Sequence, residues 1–324
     1  MTFIASVIAK KGVAIIVDSL VTSTLPILHH RKFLENLTKQ PKNEAGEIYI
    51  NADEIQSLFE FEPVYTKDYE EKLFKLNKYT AITTTGIAEI NDKKIIDIVN
   101  EFIANRGEEI NDVGITFETR LDQFKEFLTI QIREHLANIP YIGTCIFLFT
   151  YYDRGTSSTH IYKMITKQTE AASLDDPEYQ FVSCEKEADW IKVVCEGQNK
   201  LSDNVLYGSG KAIYENLADM VMAILNKLHL PEGTVPEDFI NQLMQDDYFK
   251  DILYGEIELL NLSELSLQQA VDLASLLMRL EVDFQRYTRN IPTVGGVIKL
   301  AIIDDSGFEP ILGHKILPPK HIIL

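Results

Sequence analysis

The chain has 324 residues, of which 45% are hydrophobic and 25% charged, a composition typical of a globular protein with a sizeable core. Its formal net charge of −18 argues against nucleic acid or an anionic membrane as the main partner, and a well-solvated surface is enough to explain it. No apolar run approaches the length of a membrane span, and the first residues lack the pattern of a signal peptide.

The cysteines and histidines do not indicate a metal site or a disulfide framework. Cys145, Cys184 and Cys195 are odd in number and lack metal-ligand spacing, which fits a reducing compartment and predicts a cytoplasmic location. His29 and His30 have no partners at ligand spacing. The sequence also contains no glycine-rich phosphate loop or nucleotide fingerprint, so we expect neither a metal nor a cofactor.

The first 18 residues predict a strand hairpin. Two β-branched apolar runs flank a Lys-Lys-Gly turn signal at 10–12, and the second run is apolar on consecutive residues, as in a strand buried on both faces. The second strand ends on the carboxylate of Asp18, and the first begins at Thr2. If Met1 is removed, Thr2 becomes a nucleophile with its own base, because its hydroxyl attacks while its α-amine accepts the proton.

The rest of the chain alternates between regular elements and polar segments. The predicted elements, in chain order, are a strand hairpin at 71–86, helices over about 90–103 and 117–137, strands at 141–152, 160–166 and 191–194, helices over about 211–228 and 266–286, and a buried strand at 295–305. Segments 26–68, 170–200 and 231–261 are predicted to be inserts, the first with a short helix near 31–37.

This order of elements favours a single α+β domain over residues 1–324. Two antiparallel sheets stacked face to face, with a helix layer outside each, accommodate it, so we expect a four-layer αββα sandwich. The sequence has no repeat at the usual solenoid periods.

Several of these features occur together, in the same order, in one known family. The features are Thr2 at the first strand, Gly12 at the first turn, Asp18-Ser19 with Thr22 after the second strand, Lys72 fourteen residues before Gly86, Gly208-Ser209-Gly210 before a helix, and Val294-Gly295-Gly296 at the last strand. In this pattern the chain resembles the proteasome β-subunits and the bacterial HslV proteins, which are N-terminal-nucleophile hydrolases. The resemblance covers most of the chain outside the three inserts and implies the sandwich fold just described.

The resemblance also implies an active site built on Thr2. Lys72 would lower the pKa of the Thr2 α-amine, which is about 8 in isolation, and Asp18 would pair with Lys72 and hold it in place. The backbone N–H of Gly86 would face the developing oxyanion. Ser209 would hydrogen-bond the Thr2 amine or relay its proton.

The same resemblance implies the substrate and the assembly. The positions of Thr22 and Ala88 resemble the main-chain edges to which a peptide adds as a strand. We therefore expect a threonine-type peptidase that acts on peptide or protein amide bonds and assembles into a homo-oligomeric ring. An ATP-dependent unfoldase partner is compatible with this expectation but is not indicated.

Each of these residues also has an ordinary structural interpretation. Asp18 and Gly86 could belong to simple turns, Ser209 could cap a helix, and Lys75 and Lys32 are alternatives to Lys72 that are excluded only by spacing. The family's order of residues favours the functional interpretation.

Two positions depart from the family pattern. Active members carry Asp-x-x-Ser before the last Gly-Gly pair, whereas this chain has Ile291 and Val294 there. In this respect it looks more like divergent bacterial relatives such as the Anbu proteins, or like the non-catalytic α-subunits. The alternative function is therefore a catalytically inactive structural or interaction protein on the same fold. A small-molecule amidase is a third interpretation.

Overall fold

The computed structural model describes residues 2–39, 58–67, 69–107, 109, 112, 114–188, 191–207, 217–228, 238, 239, 242, 262–287 and 292–311. The strands are β1 Phe3–Ala9, β2 Gly12–Val17, β3 Val21–Leu28, β4 Phe59–Lys67, β5 Leu73–Asn77, β6 Thr80–Gly86, β7 Glu89–Ile90, β8 Lys93–Lys94, β9 Tyr141–Ile142, β10 Cys145–Asp153, β11 Ser158–Thr166, β12 Thr169–Glu170, β13 Val182–Lys186, β14 Val193–Gly197, β15 Lys299–Asp304 and β16 Gly307–Pro310. The α-helices are α1 His30–Lys39, α2 Ile95–Arg106, α3 Phe117–Asn138, α4 Lys200–Tyr207, α5 Leu217–Leu228 and α6 Leu267–Phe284.

The architecture is mixed α/β, with two five-stranded sheets in which every pairing is antiparallel. The first sheet has the strand order β14-β1-β2-β15-β16, and the second has the order β13-β11-β10-β6-β5. Within the described residues, no helix is both long enough and apolar enough to cross a membrane.

The predicted N-terminal hairpin is confirmed. Strands β1 and β2 pair antiparallel from Ile4 opposite Val17 to Ala9 opposite Gly12, and all six residues of β2 are buried. Gly12 has a φ of +136°, and a Cβ there would lie 2.5 Å from the carbonyl oxygen of Ile303. The turn therefore requires glycine at this position.

Alternate residues of the hairpin pack in opposite directions, because successive side chains of a strand point to opposite faces. Phe3, Ala5 and Val7 contact the buried face of α6, which contributes Ala270, Ala274, Leu277 and Met278 to the same cluster. On the opposite face, Ile4 and Val17 pack with Leu148 and Ile161 of the second sheet.

The two sheets also meet through polar groups and a second apolar cluster. Val13 and Ile15 of the first sheet share that cluster with Ala81 and Tyr152 of the second. Between them, the hydroxyl groups of Ser6 and Thr150 are 3.1 Å apart in a buried hydrogen bond.

Helices α2 and α3 cover the other face of the second sheet. Phe124 of α3 has its ring centroid 5.2 Å from those of both Phe147 and Phe149 of β10, in edge-to-face contact, and Phe102 of α2 approaches it to 5.0 Å. Such aromatic pairs add about 0.5–1.5 kcal/mol each beyond the burial of their area. The hydroxyl of Thr116 accepts a hydrogen bond from the Thr119 N–H and caps the start of α3.

The segments predicted as inserts differ among themselves. In segment 26–68, the described residues form α1 and part of the β3–β4 pair, which is hydrogen-bonded to neither large sheet. Segment 170–200 instead supplies an edge strand to each sheet, β13 and β14, so it belongs to the central architecture. Segment 231–261 lies almost entirely outside the described residues.

The last predicted strand begins later than expected. Strand β15 starts at Lys299, whereas the sequence predicted a start at residue 295. Before Lys299 the backbone bonds to the end of β2 instead of pairing as a strand. The carbonyl oxygen of Gly295 accepts hydrogen bonds from the N–H groups of Ser19 and Leu20, both at 3.1 Å. The two glycines, with φ of +151° and +72°, allow this path.

Candidate active site around Thr2

Thr2 is held at the start of β1, where it is 4% exposed. Its carbonyl oxygen accepts a hydrogen bond of 2.6 Å from the N–H of Gln198, which follows β14. The neighbouring Gly197 has a φ of +89°, and a Cβ there would lie 2.0 Å from the same carbonyl oxygen. The backbone of Thr2 is therefore fixed by close contact with a glycine that no other residue could replace.

Lys72, just before β5, brings an ammonium group to the Thr2 side chain. Its Nζ lies 2.6 Å from Thr2 Oγ1, 2.9 Å from Asp18 Oδ1 and 2.6 Å from the carbonyl oxygen of Leu20. An ammonium group has three N–H donors, so these three acceptors satisfy it completely. Lys72 is 6% exposed, and its orientation is therefore set by the protein and not by solvent.

Asp18 is fully buried and connects three parts of the chain. Besides the Lys72 ammonium, its carboxylate accepts hydrogen bonds of 3.1 Å from the N–H groups of Phe3 and Gly295. The side-chain hydroxyl of Ser19 accepts a hydrogen bond of 2.7 Å from the Val297 N–H. The segment after α6 is thereby attached to the end of β2, beside Thr2.

Burial shifts the pKa values of both ionisable partners towards their neutral forms. The pKa of Lys72 is lowered by loss of hydration, which the charge of Asp18 opposes. The pKa of Asp18 is raised by burial, against the charge of Lys72 and the hydrogen bonds from Gly295 and Phe3. The three acceptors around Lys72 Nζ, one of them the Asp18 carboxylate, oppose this loss of hydration and favour the ammonium form.

A cavity of about 880 Å³ opens beside these groups. Its lining includes Thr2, Lys72, Gly86, Ala88 and Gln198. A volume of this size lies within the usual range for ligand pockets. Thr2 therefore borders a space large enough to hold part of a ligand.

Gly86, the predicted oxyanion residue, closes β6 at the edge of this cavity. It has a φ of +111°, and a Cβ there would lie 2.3 Å from the carbonyl oxygen of Thr144 and 2.9 Å from the Cα of Cys145. The position therefore accepts only glycine without displacement of the neighbouring strand.

Of the other predicted site residues, Ala88 lines the cavity, Thr22 lies next to a residue that lines it, and Ser209 is not described. Ala88 is exposed and lines the cavity, while its carbonyl oxygen accepts a hydrogen bond from the Ile95 N–H at 3.0 Å. Thr22 lies in β3 opposite Thr66, one residue after Val21, which lines the cavity. Ser209 lies outside the described residues.

Gln198 is a site residue that the sequence pattern did not reveal. It comes directly after Gly197, the last residue of the edge strand β14. Because β14 is short and polar at its end, the sequence does not show where this strand stops. The useful signal would have been Gly197 itself, as a glycine at a strand end often marks close approach of another backbone.

The comparisons with known proteins add no assignment: the chain matches no protein-family model and no curated protein. Within the described residues, no group of three or more His, Cys, Asp or Glu side chains is arranged to hold a metal ion. A functional assignment accordingly depends on the geometry around Thr2.

Proposed function

We propose that this protein is a proteasome-like, threonine-type amide hydrolase in which Thr2, freed by removal of Met1, is the nucleophile. The observation that carries the proposal is the 2.6 Å contact between Lys72 Nζ and Thr2 Oγ1, with Asp18 on the same ammonium group. Lys72 is buried, and burying an ammonium group is costly unless it is fully paired, so these contacts are a requirement of its burial.

The proposed reaction follows from the groups around the hydroxyl. Thr2 Oγ attacks the carbonyl carbon of an amide, and its proton passes to the α-amine, whose pKa the nearby Lys72 ammonium lowers. The carbonyl oxygen becomes an oxyanion beside the N–H of Gly86. The C–N bond then breaks as the leaving amine takes up the proton, and water hydrolyses the resulting ester to free Thr2.

The packing of the elements supports the proposed family. The facing sides of the two antiparallel sheets share apolar clusters. Helix α6 packs on the outer face of the first sheet, and helices α2 and α3 pack on the outer face of the second sheet. This packing is compatible with the four-layer αββα sandwich of N-terminal-nucleophile hydrolases. We propose that the chain is a divergent, proteasome-like member of that family. A peptide or protein substrate, a homo-oligomeric ring and a cytoplasmic location are parts of the same proposal.

A catalytically inactive relative is the second candidate, and one observation favours it. Val294 stands where active family members carry a serine, and it is 2% exposed and packed into the apolar cluster between the first sheet and α6. The polar support that this position gives in active members is therefore missing. The inactive candidate predicts a structural or interaction role in an assembly of the same fold.

The intact mass of the purified protein, before and after treatment with a β-lactone electrophile, tests the first proposal. We expect loss of Met1 and a single adduct on Thr2, formed as Thr2 Oγ attacks the lactone carbonyl and the ring C–O bond opens. A Thr2→Ala variant should form no adduct, whereas a Thr2→Ser variant should still form one. Retention of Met1, or a free Thr2 that never reacts, would support the inactive candidate instead.

A further inference from the structure

A closed circuit of hydrogen bonds, completed by the backbone between Thr293 and Gly295, begins and ends at Thr2. One side runs from the Thr2 hydroxyl through Lys72 to Asp18, and from Asp18 Oδ2 to the N–H of Gly295. The other side starts at the Thr2 carbonyl oxygen, which accepts from the Gln198 N–H. The two sides meet through the side chains of Gln198, Gln285 and Thr293.

Gln285, at the end of α6, holds the segment that leads to Gly295. Its Oε1 accepts hydrogen bonds from the N–H groups of Thr293, at 2.5 Å, and Val294, at 3.1 Å. Gln285 is 7% exposed and Thr293 is 3% exposed, so water does not compete for these bonds. The next N–H along the chain, that of Gly295, is therefore directed at the Asp18 carboxylate.

Gln198 joins this segment to Thr2. Its Oε1 accepts hydrogen bonds from the hydroxyl of Thr293 and, at 3.5 Å, from Nε2 of Gln285. Two donors on the same oxygen fix the orientation of the amide group. Gln198 also lines the cavity beside Thr2, so a fixed amide borders the space where the substrate would react.

We propose that Gln198, Gln285 and Thr293 form an amide clamp that positions Thr2 and Lys72 for reaction. The clamp takes over the positioning role of the polar residue that is missing at Val294, because it holds Thr293 and Val294 from the end of α6 and from Gln198. These three are positioning residues, because they act through the backbone of Thr2 and through Asp18. The inference rests on the proposed function, since positioning has a kinetic effect only where Thr2 is a nucleophile.

The test measures the second-order rate of β-lactone labelling of Thr2 across pH in the full chain with Met1 removed. Gln285→Met removes the clamp's acceptor and donor but keeps the volume, and we expect labelling about tenfold to a hundredfold slower, because small misplacements of reacting groups have effects of this size. Gln131→Met is the matched control. Gln131 is a 5% exposed glutamine of α3 whose Oε1 has no hydrogen-bond partner among the described residues, so labelling should stay within about twofold.

Two variants of Gln198 test whether the labelling rate depends on the side-chain oxygen that accepts hydrogen bonds from Thr293 and Gln285. Gln198→Leu should slow labelling about as much as Gln285→Met, whereas Gln198→Glu keeps an oxygen for Thr293 and Gln285 and should restore most of the rate. The added carboxylate should also move the acid limb of the pH profile to higher pH, because a negative charge near an amine raises its pKa. Equal rates for Gln285→Met, Gln198→Leu and Gln131→Met would overturn the clamp.

A second measurement separates the clamp from the proposed function. Hydrogen exchange at the amide of Gly295 should be about tenfold faster in Gln285→Met than in Gln131→Met, because the bond to Asp18 loosens. If the wild-type Thr2 is never labelled but this difference appears, the proposed function fails and the clamp stands as a structural device. If the exchange rates are equal, the clamp fails whatever the labelling shows.

Discussion

Lys72 Nζ lies 2.6 Å from Thr2 Oγ1, although the two residues are 70 positions apart in the sequence. The contact depends on the second sheet packing against the first, since Lys72 immediately precedes β5 and Thr2 immediately precedes β1. Asp18, at the end of β2, fixes the ammonium from the other side. The contact between these three residues is therefore a product of the stacking of the sheets and not of a local loop.

Replacing Lys72 by methionine should slow β-lactone labelling of Thr2 by about a hundredfold or more, because the charge that stabilises the developing alkoxide and lowers the pKa of the α-amine is removed. Labelling rates from intact mass measure the effect. Lys75→Met is the matched control, since Lys75 is an exposed lysine of β5 and should leave the rate within about twofold. A Lys72→Met protein that reacts as fast as Lys75→Met would exclude Lys72 from the reaction.

The Lys72→Met variant should also lose stability in a pH-dependent way. It leaves the fully buried Asp18 without its cation, which typically costs about 3–5 kcal/mol when the carboxylate is ionised. Burial already raises the pKa of Asp18, and the loss of Lys72 removes the main influence that lowers it. For an acid with a raised pKa, stability is present below the unfolded pKa and is lost as pH rises through the folded pKa.

Urea unfolding at several pH values measures this dependence. The deficit of Lys72→Met relative to the wild type should be small near pH 4, below or close to the ordinary pKa of an aspartic acid, and should grow towards neutral pH. A deficit that stays constant, or shrinks as pH rises, would mean that Asp18 is not the group left uncompensated.

The sequence was informative where periodicity and end signals were strong. The N-terminal hairpin could be predicted because β1 and β2 carry dense β-branched residues around a glycine turn, and α3 and α6 because their apolar faces are long. The meeting of Thr2, Asp18 and Lys72 was implied by the resemblance to proteasome β-subunits and HslV proteins. Their distances could not be predicted, because they depend on how two sheets pack.

The parts that the sequence did not predict have a common physical cause. Strand β13 was not predicted, and the strand predicted at 191–194 corresponds to the beginning of β14. Both are short edge strands with polar ends, so no apolar period marks their full extent. The late start of β15 could not be predicted either, because Gly295 bonds to Ser19 and Asp18 through its backbone. Backbone groups carry no side-chain signal from which such contacts could be read.

Gly86→Ala should destabilise the protein and slow labelling of Thr2. A side chain at φ of +111° is strained, and its Cβ would meet the backbone of Thr144 at 2.3 Å, so β6 and β10 must move apart next to the cavity. Gly107→Ala is the control, because Gly107 has a φ of +48° but a Cβ there would meet nothing within 4 Å. It should cost about 1–3 kcal/mol from backbone conformation alone, because its φ of +48° and ψ of −125° are rarely adopted by residues with a Cβ.

Thermal unfolding and β-lactone labelling distinguish the two glycine variants. Gly86→Ala should show the larger fall in Tm and a labelling rate at least about tenfold lower, whereas Gly107→Ala should label at the wild-type rate. Equal labelling by both variants would argue against a role for the Gly86 backbone in the reaction.

Glu281 provides a pH-dependent contribution to stability away from the proposed nucleophile. It lies on α6, is 3% exposed, and accepts hydrogen bonds from the N–H of Leu201 at 3.1 Å and from the N–H and hydroxyl of Ser202 at 2.8 and 2.9 Å. It therefore satisfies two of the backbone N–H groups that lack an intrahelical partner at the start of α4. Burial raises the pKa of Glu281 above its ordinary value, and the bonds from Ser202 and Leu201 oppose that rise.

Glu281→Gln keeps an oxygen for the same three donors but cannot ionise. Because the folded pKa of Glu281 is raised, the wild type gains stability from the protonated acid below about pH 4.5 and loses it as pH rises through the folded pKa. The Tm of Glu281→Gln relative to the wild type should therefore increase between about pH 4.5 and about pH 8. Glu309→Gln, at an exposed position, should stay within about 0.5 kcal/mol of the wild type throughout. A relative Tm of Glu281→Gln that falls with rising pH would show that the three hydrogen bonds to the carboxylate outweigh its burial.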